Sequence, residues 1–171
     1  MEEIALSLTL HVPSLVLLTS FRGALAEYQA EGRYLNLSPE MLPEYVAGLE
    51  NRASTVPPGR VPETVYWGVV EGEYVGRVSL RHFLNPHLEQ WGGHIGYEVR
   101  PTRRGCGYGH ALLAGVLPRA RAIGLSRVLL HCDEKNLASA RIIERAGGVY
   151  ARSTPNLERN GALGRAYWIS L

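Results

Sequence analysis

Residues 93–113 read GHIGYEVRPTRRGCGYGHALL, a short apolar run, then glycine at every second position, then helical spacing of apolar residues. That order is a strand, a tight loop and a helix. Gly105, Gly107 and Gly109 leave the loop almost without side chains, so its backbone N–H groups can approach a ligand closely. The helix that follows opens with unpaired N–H donors and a partial positive charge. Together with Arg100, Arg103 and Arg104 this predicts a cradle for a phosphate or pyrophosphate.

Two familiar phosphate motifs do not fit. A Walker loop needs Gly-Lys-Ser/Thr, and the only lysine of the chain is Lys135. A dinucleotide fingerprint needs G-x-G-x-x-G after the first strand and an acid about 20 residues on. Here the spacing is G-x-G-x-G, deep in the chain, and Asp133 lies too far away.

At 171 residues the chain suffices for one domain with its own core. A net charge of +2, with no run of basic residues, argues against nucleic acid as a partner. The two cysteines, Cys106 and Cys132, have neither disulfide-framework nor metal-ligand spacing, which predicts a reducing compartment and no metal. The longest apolar run, Leu15–Leu18, is far too short to span a bilayer, and no signal-peptide pattern precedes it. The expectation is a cytoplasmic protein without a membrane partner, a monomer or a homodimer.

Alternation of Ile4, Leu6, Leu8, Leu10 and Val12 predicts a half-buried strand over 4–12. Helical spacing follows over 15–29, with Gly32 as its stop, and again over 38–51, with Ser38 as N-cap and Pro39 at the first position. Residues 53–63 form a loop. Runs 64–70 and 74–80, joined through Glu71-Gly72-Glu73, predict a hairpin, and 82–92 a second loop. After the central strand 94–99, the helix behind the glycine loop runs to Gly124 with Pro118 inside it, predicting a kink near Ala114. A buried strand over 127–132, a helix from Asn136 to Gly147, and strands over 149–154 and 165–170 complete the chain.

Arg104, Gly107 and Gly109, with Val99-x-Pro101 upstream, resemble the coenzyme A signature Arg/Gln-x-x-Gly-x-Gly/Ala of the GNAT superfamily of N-acetyltransferases. Asn136, Ser139 and Gly147 match a second GNAT pattern at the right separation. The resemblance implies an α+β fold: one GNAT domain over 1–171, its mixed central sheet carrying splayed parallel strands flanked by helices. It also implies an acetyl-CoA-dependent N-acetyltransferase acting on a small-molecule or peptide amine. Coenzyme A would place its pyrophosphate on Arg104, Gly105, Cys106, Gly107, Tyr108 and Gly109, and its pantetheine beside Val99, near Asn136 and Ser139. The other class is an acyl-CoA-binding sensor or scaffold of the same fold.

Direct transfer needs a base, because an alkylamine of pKa about 10.4 is less than roughly 0.1% neutral at pH 7. Glu98, His94 and His131 are the candidates. Alternation sets Glu98 and His94 on the face opposite Tyr97 and Val99. Many GNAT enzymes carry a tyrosine seven residues after the motif Asn to reprotonate the leaving thiolate. Here Ile143 stands there, leaving unaided departure, or Tyr150 or Ser139 as substitute. Cys106 and Cys132 as nucleophiles, and His131, Cys132 and Asp133 as metal ligands, are the remaining chemistries. A GNAT-like acceptor site would be walled by residues 15–63 and 82–92.

Overall fold

The computed structural model describes residues 7–171, Glu158 by its backbone alone. Among the described residues seven strands form one sheet in the order β1 (Thr9–His11), β2 (Glu63–Val70), β3 (Glu73–Arg81), β4 (Ile95–Val99), β5 (Arg127–Asp133), β7 (Ala162–Ser170) and β6 (Val149–Asn156), and only β4 and β5 run parallel. The hairpin of β2 (Glu63–Val70) and β3 (Glu73–Arg81) turns on Glu71 and Gly72, at φ 50° and 78°. Two left-handed residues match the twist of the flanking strands, which is why the tip holds glycine. Register slips between Gly68–Gly76 and Val69–Tyr74, so Val75 is an extra residue, and its carbonyl accepts the Arg100 N–H at 2.8 Å.

Helices α1 (Leu18–Ala30) and α2 (Leu42–Glu50) cover one face. Phe21, Leu25, Tyr28, Leu42 and Val46 pack there with Trp67 and Tyr74. Phe21 stacks on Trp67 with centroids 4.7 Å apart and meets Tyr74 edge-on at 5.1 Å. On the other face α4 (Tyr108–Ala122) and α5 (Leu137–Arg145) bring Leu112, Leu113, Val116 and Ile143 against Val78, Leu80, Ile95, Val128 and Leu130. Each such side chain, wholly buried, contributes about 1.5–3 kcal/mol.

Within the described residues the first strand is β1 (Thr9–His11), paired with Trp67–Val69; residues 4–6 lie outside them. Leu8 and Leu10 turn to the core as the alternation predicts, whereas Val12 is exposed. The 82–92 segment is not all loop. It holds a short helix, α3 (Pro86–Trp91), whose Asn85 caps it by accepting the Leu88 N–H at 2.9 Å. Ser38 makes no such cap: Pro39–Met41 form a 3-10 turn, and α2 begins after it. Helix α4 continues through Pro118, which lacks the N–H that would reach Ala114. The tail strands are β6 (Val149–Asn156) and β7 (Ala162–Ser170), longer than predicted because pairing runs to Asn156–Ala162 at the hairpin end. Among the described residues no helix is long and apolar enough to cross a membrane.

Candidate active site

Strand β4 (Ile95–Val99) holds the centre. Along its antiparallel ladder with β3, His94 O accepts from Arg81 N and Arg100 N donates to Val75 O. The even-numbered residues therefore bond β3, and alternation turns the N–H and C=O groups of Ile95, Tyr97 and Val99 toward β5 (Arg127–Asp133). The parallel ladder there contains one register pair, Ile95–Leu130. Beyond it the strands splay, so the backbone of Tyr97 and Val99 faces a cleft instead of a neighbouring strand.

At the wide end lies the glycine loop. Gly105 and Gly107 have φ of 75° and 82°, left-handed geometry that favours glycine and is the backbone form from which anion-binding nests are built. Gly107 caps α4 without a side-chain bond, so the cap residue itself occupies none of the first-turn donors of the helix. Gly109 serves differently. A Cβ there would sit 2.8 Å from Ile142 Cδ1 and 3.7 Å from Tyr97 and Val99, so this glycine lets α4 lie close on β4 and α5. Nor are the three arginines free charges. Arg100 pairs with Glu27 at 2.7 Å, Arg103 with Glu73, and Arg104 grips Glu31 through two bonds of 2.6 and 3.0 Å.

The α1/α2 face carries the carboxylate. Glu98 accepts from Arg33 and from the Tyr34 hydroxyl, with Arg77 Nε 4.0 Å away. Two oxygens offer about four acceptor sites, so capacity for a further donor is left. His94 lies on the same face but four residues away, about 13 Å along the strand. Its ring is buried, Nδ1 accepts the Leu129 N–H at 2.9 Å, and burial with the nearby Arg81 and Arg127 lowers its pKa to about 4. It bonds β5 where the parallel ladder is failing. His131 is likewise pushed down to about 4, by burial and then by Arg152, and its Nε2 has no partner among the described residues.

On the α4/α5 side, Asn136 Oδ1 caps α5 by accepting the Ser139 N–H at 3.1 Å. Ser139 Oγ in turn lies 2.7 Å from the hydroxyl of Tyr97, whose pKa is raised by burial. This tyrosine was absent from the sequence candidates. Its odd position on β4, beside the splay and opposite Glu98, was the available signal. Ile143 is fully buried in the core, and Tyr150 bonds Ser153 at 2.9 Å on the edge strand β6, beyond β7. Cys106 is exposed on the loop, and burial pushes the Cys132 thiol up, away from thiolate reactivity. Among the described residues no three His, Cys, Asp or Glu gather as a metal site.

A family model described as an acetyltransferase (GNAT) domain matches residues 24–149. A mycothiol acetyltransferase of Thermobispora bispora is 35% identical over 86 residues, 47% of this chain and 29% of that protein, so the chain spans under a third of that relative's length. The fold is similar to that of RimL, a ribosomal L7/L12 alpha-N-protein acetyltransferase in complex with coenzyme A, with TM-score 0.74 at 16% identity over 96% of this chain and 94% of that one. It is similar also to the microcin C7 self-immunity acetyltransferase MccE in complex with acetyl-CoA and AMP, with TM-score 0.74 at 12% identity over 96% and 92%. Those identities speak to the fold alone. Since the family model covers more than half of the sequence, the chain belongs to the GNAT acetyltransferase domain family.

Proposed function

We propose that the chain transfers an acetyl group from acetyl-CoA to the amine of an acceptor by direct attack. The observation that carries this reading is the splay of β4 from β5, with unpaired backbone in the cleft, a glycine nest at one end and a carboxylate on the opposite face. Bound acetyl-CoA supplies the activated acetyl thioester. Its pyrophosphate fits the backbone of Arg104, Gly105, Cys106, Gly107, Tyr108 and Gly109, and its pantetheine amides fit the strand edge at Val99. Arg104 can join only by leaving Glu31.

The acceptor approaches from the α1/α2 face, where Glu98 takes the ammonium proton, directly or through one water. The N–H groups of Tyr97 and Val99 are the donors for the thioester oxygen, which gains charge as the new C–N bond forms and loses it as the C–S bond breaks. Attack leaves a second proton on the nitrogen, which goes to solvent as the amide forms, while the thiolate takes a proton from the Tyr97–Ser139 pair, itself reprotonated by solvent, which stands in for the hydroxyl that Ile143 lacks. Asn136 holds Ser139 in place. His94 is assigned to structure: its Nδ1 is already committed to Leu129.

The test follows free-thiol release from acetyl-CoA with a panel of amines. Glu98→Gln is expected to lower turnover roughly 10²–10⁴-fold with acetyl-CoA affinity unchanged. Acetyl-CoA binding with no thiol release from any amine would favour the sensor reading, which the buried Ile143 recommends as the second one.

A further inference from the structure

The cavity that adjoins Glu98 has a volume of about 260 Å³ and is walled by Arg52, Arg60, Arg77 and Arg81 against only two carboxylates, Glu63 and Glu98. The register makes this a grid on one face of the sheet. Arg77 lies opposite Glu98, Ser79 opposite Gly96, and Arg81 opposite Glu63 on its other side. Glu98 is shared between Arg33 and Arg77, and Glu63 lies 3.5 Å from Arg52. Among the described residues that leaves Arg60 and Arg81 without a carboxylate in ion-pair range. Arg81 spends one nitrogen on the carbonyls of Gly92 and Gly93, at 3.2 and 3.1 Å, and its guanidinium keeps donors to spare. Burial first, and then the like charges of Arg77, Arg52 and Arg60, lower its pKa against the pull of Glu63.

Gathering like charges in a partly buried wall costs stability unless an anion completes it. The middle row is open: a Cβ on Gly96 would meet nothing within 4 Å. A molecule can therefore lie over Gly96 with one end at Glu98 and the other at Arg81, each about 7 Å along the strand from the central row.

We propose that the acceptor is an amine that also bears an anionic group, carboxylate or phosphate, held by Arg81 and Arg60 while its amine meets Glu98. Guanidinium forks grip either group through paired, charge-assisted bonds. The proposal rests on the acetyl-transfer reading and names the substrate class for that same site.

The experiment has two arms. In the first, thiol release is compared for matched amines long enough to span from Glu98 to Arg81: 6-aminohexan-1-ol with 6-aminohexyl phosphate, and 8-aminooctanamide with 8-aminooctanoate. The anionic member of a pair is expected to have a kcat/KM roughly 10²-fold higher, as one well-formed charge-assisted contact implies. Arg60→Met and Arg81→Met should bring the two members together by lowering the anionic one alone. Arg60 is exposed, so its variant folds even where Arg81→Met does not. Whichever pair shows the larger preference tells phosphate from carboxylate. In the second arm, inorganic phosphate and acetate are titrated against protein saturated with coenzyme A, read as melting temperature, and the stabilisation should vanish in Arg60→Met. Turnover with equal kcat/KM within every pair, unmoved by Arg60→Met, would overturn the anionic acceptor and leave the transferase standing. Anion binding lost in Arg60→Met, with no amine turned over, would support the anion site while sinking the transferase reading.

Discussion

At the residue scale, His94 and Ile143 show what burial does to a candidate. The His94 ring titrates near 4 in the folded chain and near 6.5 when unfolded. Above pH 6.5 both states are neutral and its contribution is fully present. As pH falls from about 6.5 to 4 the unfolded chain takes a proton that the folded ring refuses, and stability declines by up to about 3 kcal/mol. His131 is depressed in the same direction and steepens the same window. His94→Asn, which keeps an acceptor for Leu129, should flatten the change in urea midpoint between pH 7 and 4.5; an unaltered slope would show that the ring is not refused its proton. Ile143 is a packing residue by every contact it makes. Ile143→Tyr is therefore expected to cost about 1–3 kcal/mol by overfilling the core, read by denaturant titration. A tyrosine variant with undiminished stability and faster thiol release would instead reveal room for a family-type acid.

At the element scale the glycine loop is the best test of how α4 is built. Gly107 needs left-handed backbone, which Asn and Asp tolerate better than other side chains do. Gly107→Asn and Gly107→Asp thus share the strain and differ in charge. The aspartate should weaken coenzyme A binding by at least about tenfold more than the asparagine, the worth of one repulsion at a helix N-terminus with a pyrophosphate on it. Equal affinities by calorimetry would remove the pyrophosphate from this loop. Gly109 would be a poor choice for that purpose, since its substitution strikes Ile142 and tests packing first. The missed helix α3 belongs to this scale too. Asn85-Pro86 lies within the 82–92 segment that the sequence reads as a loop, yet the dipeptide is an N-cap followed by proline at the first helical position. A six-residue helix is too short for apolar periodicity to separate the two readings.

At the scale of the whole molecule, the splay between β4 and β5 leaves the two parts of the sheet, among the described residues, joined by one parallel register pair, the isolated Gly93–Leu130 bridge and the bonds that His94 makes to Leu129. A ligand lying in that cleft binds the folded chain alone, so acetyl-CoA at 100 times its dissociation constant should add about 2.7 kcal/mol and raise the melting temperature by roughly 5–10 °C. No rise at that concentration would tell against the cleft as the binding site. Apart from α3, the order of strands and helices, the hairpin tip at Glu71-Gly72, the glycine loop and the face of Glu98 are legible from the residues, because each rests on local periodicity or on backbone freedom that one or two residues confer. The partners are not. That Arg100, Arg103 and Arg104 answer Glu27, Glu73 and Glu31, that Glu98 is held by Arg33 and Tyr34, and that Tyr97 meets Ser139 depend on residues 30 to 73 positions apart. Alternation along a strand tells which face a side chain takes; only closure of the sheet against its helices decides which charge or hydroxyl waits there, and so whether an arginine near the glycine loop is free or a wall of arginines is left facing a cavity.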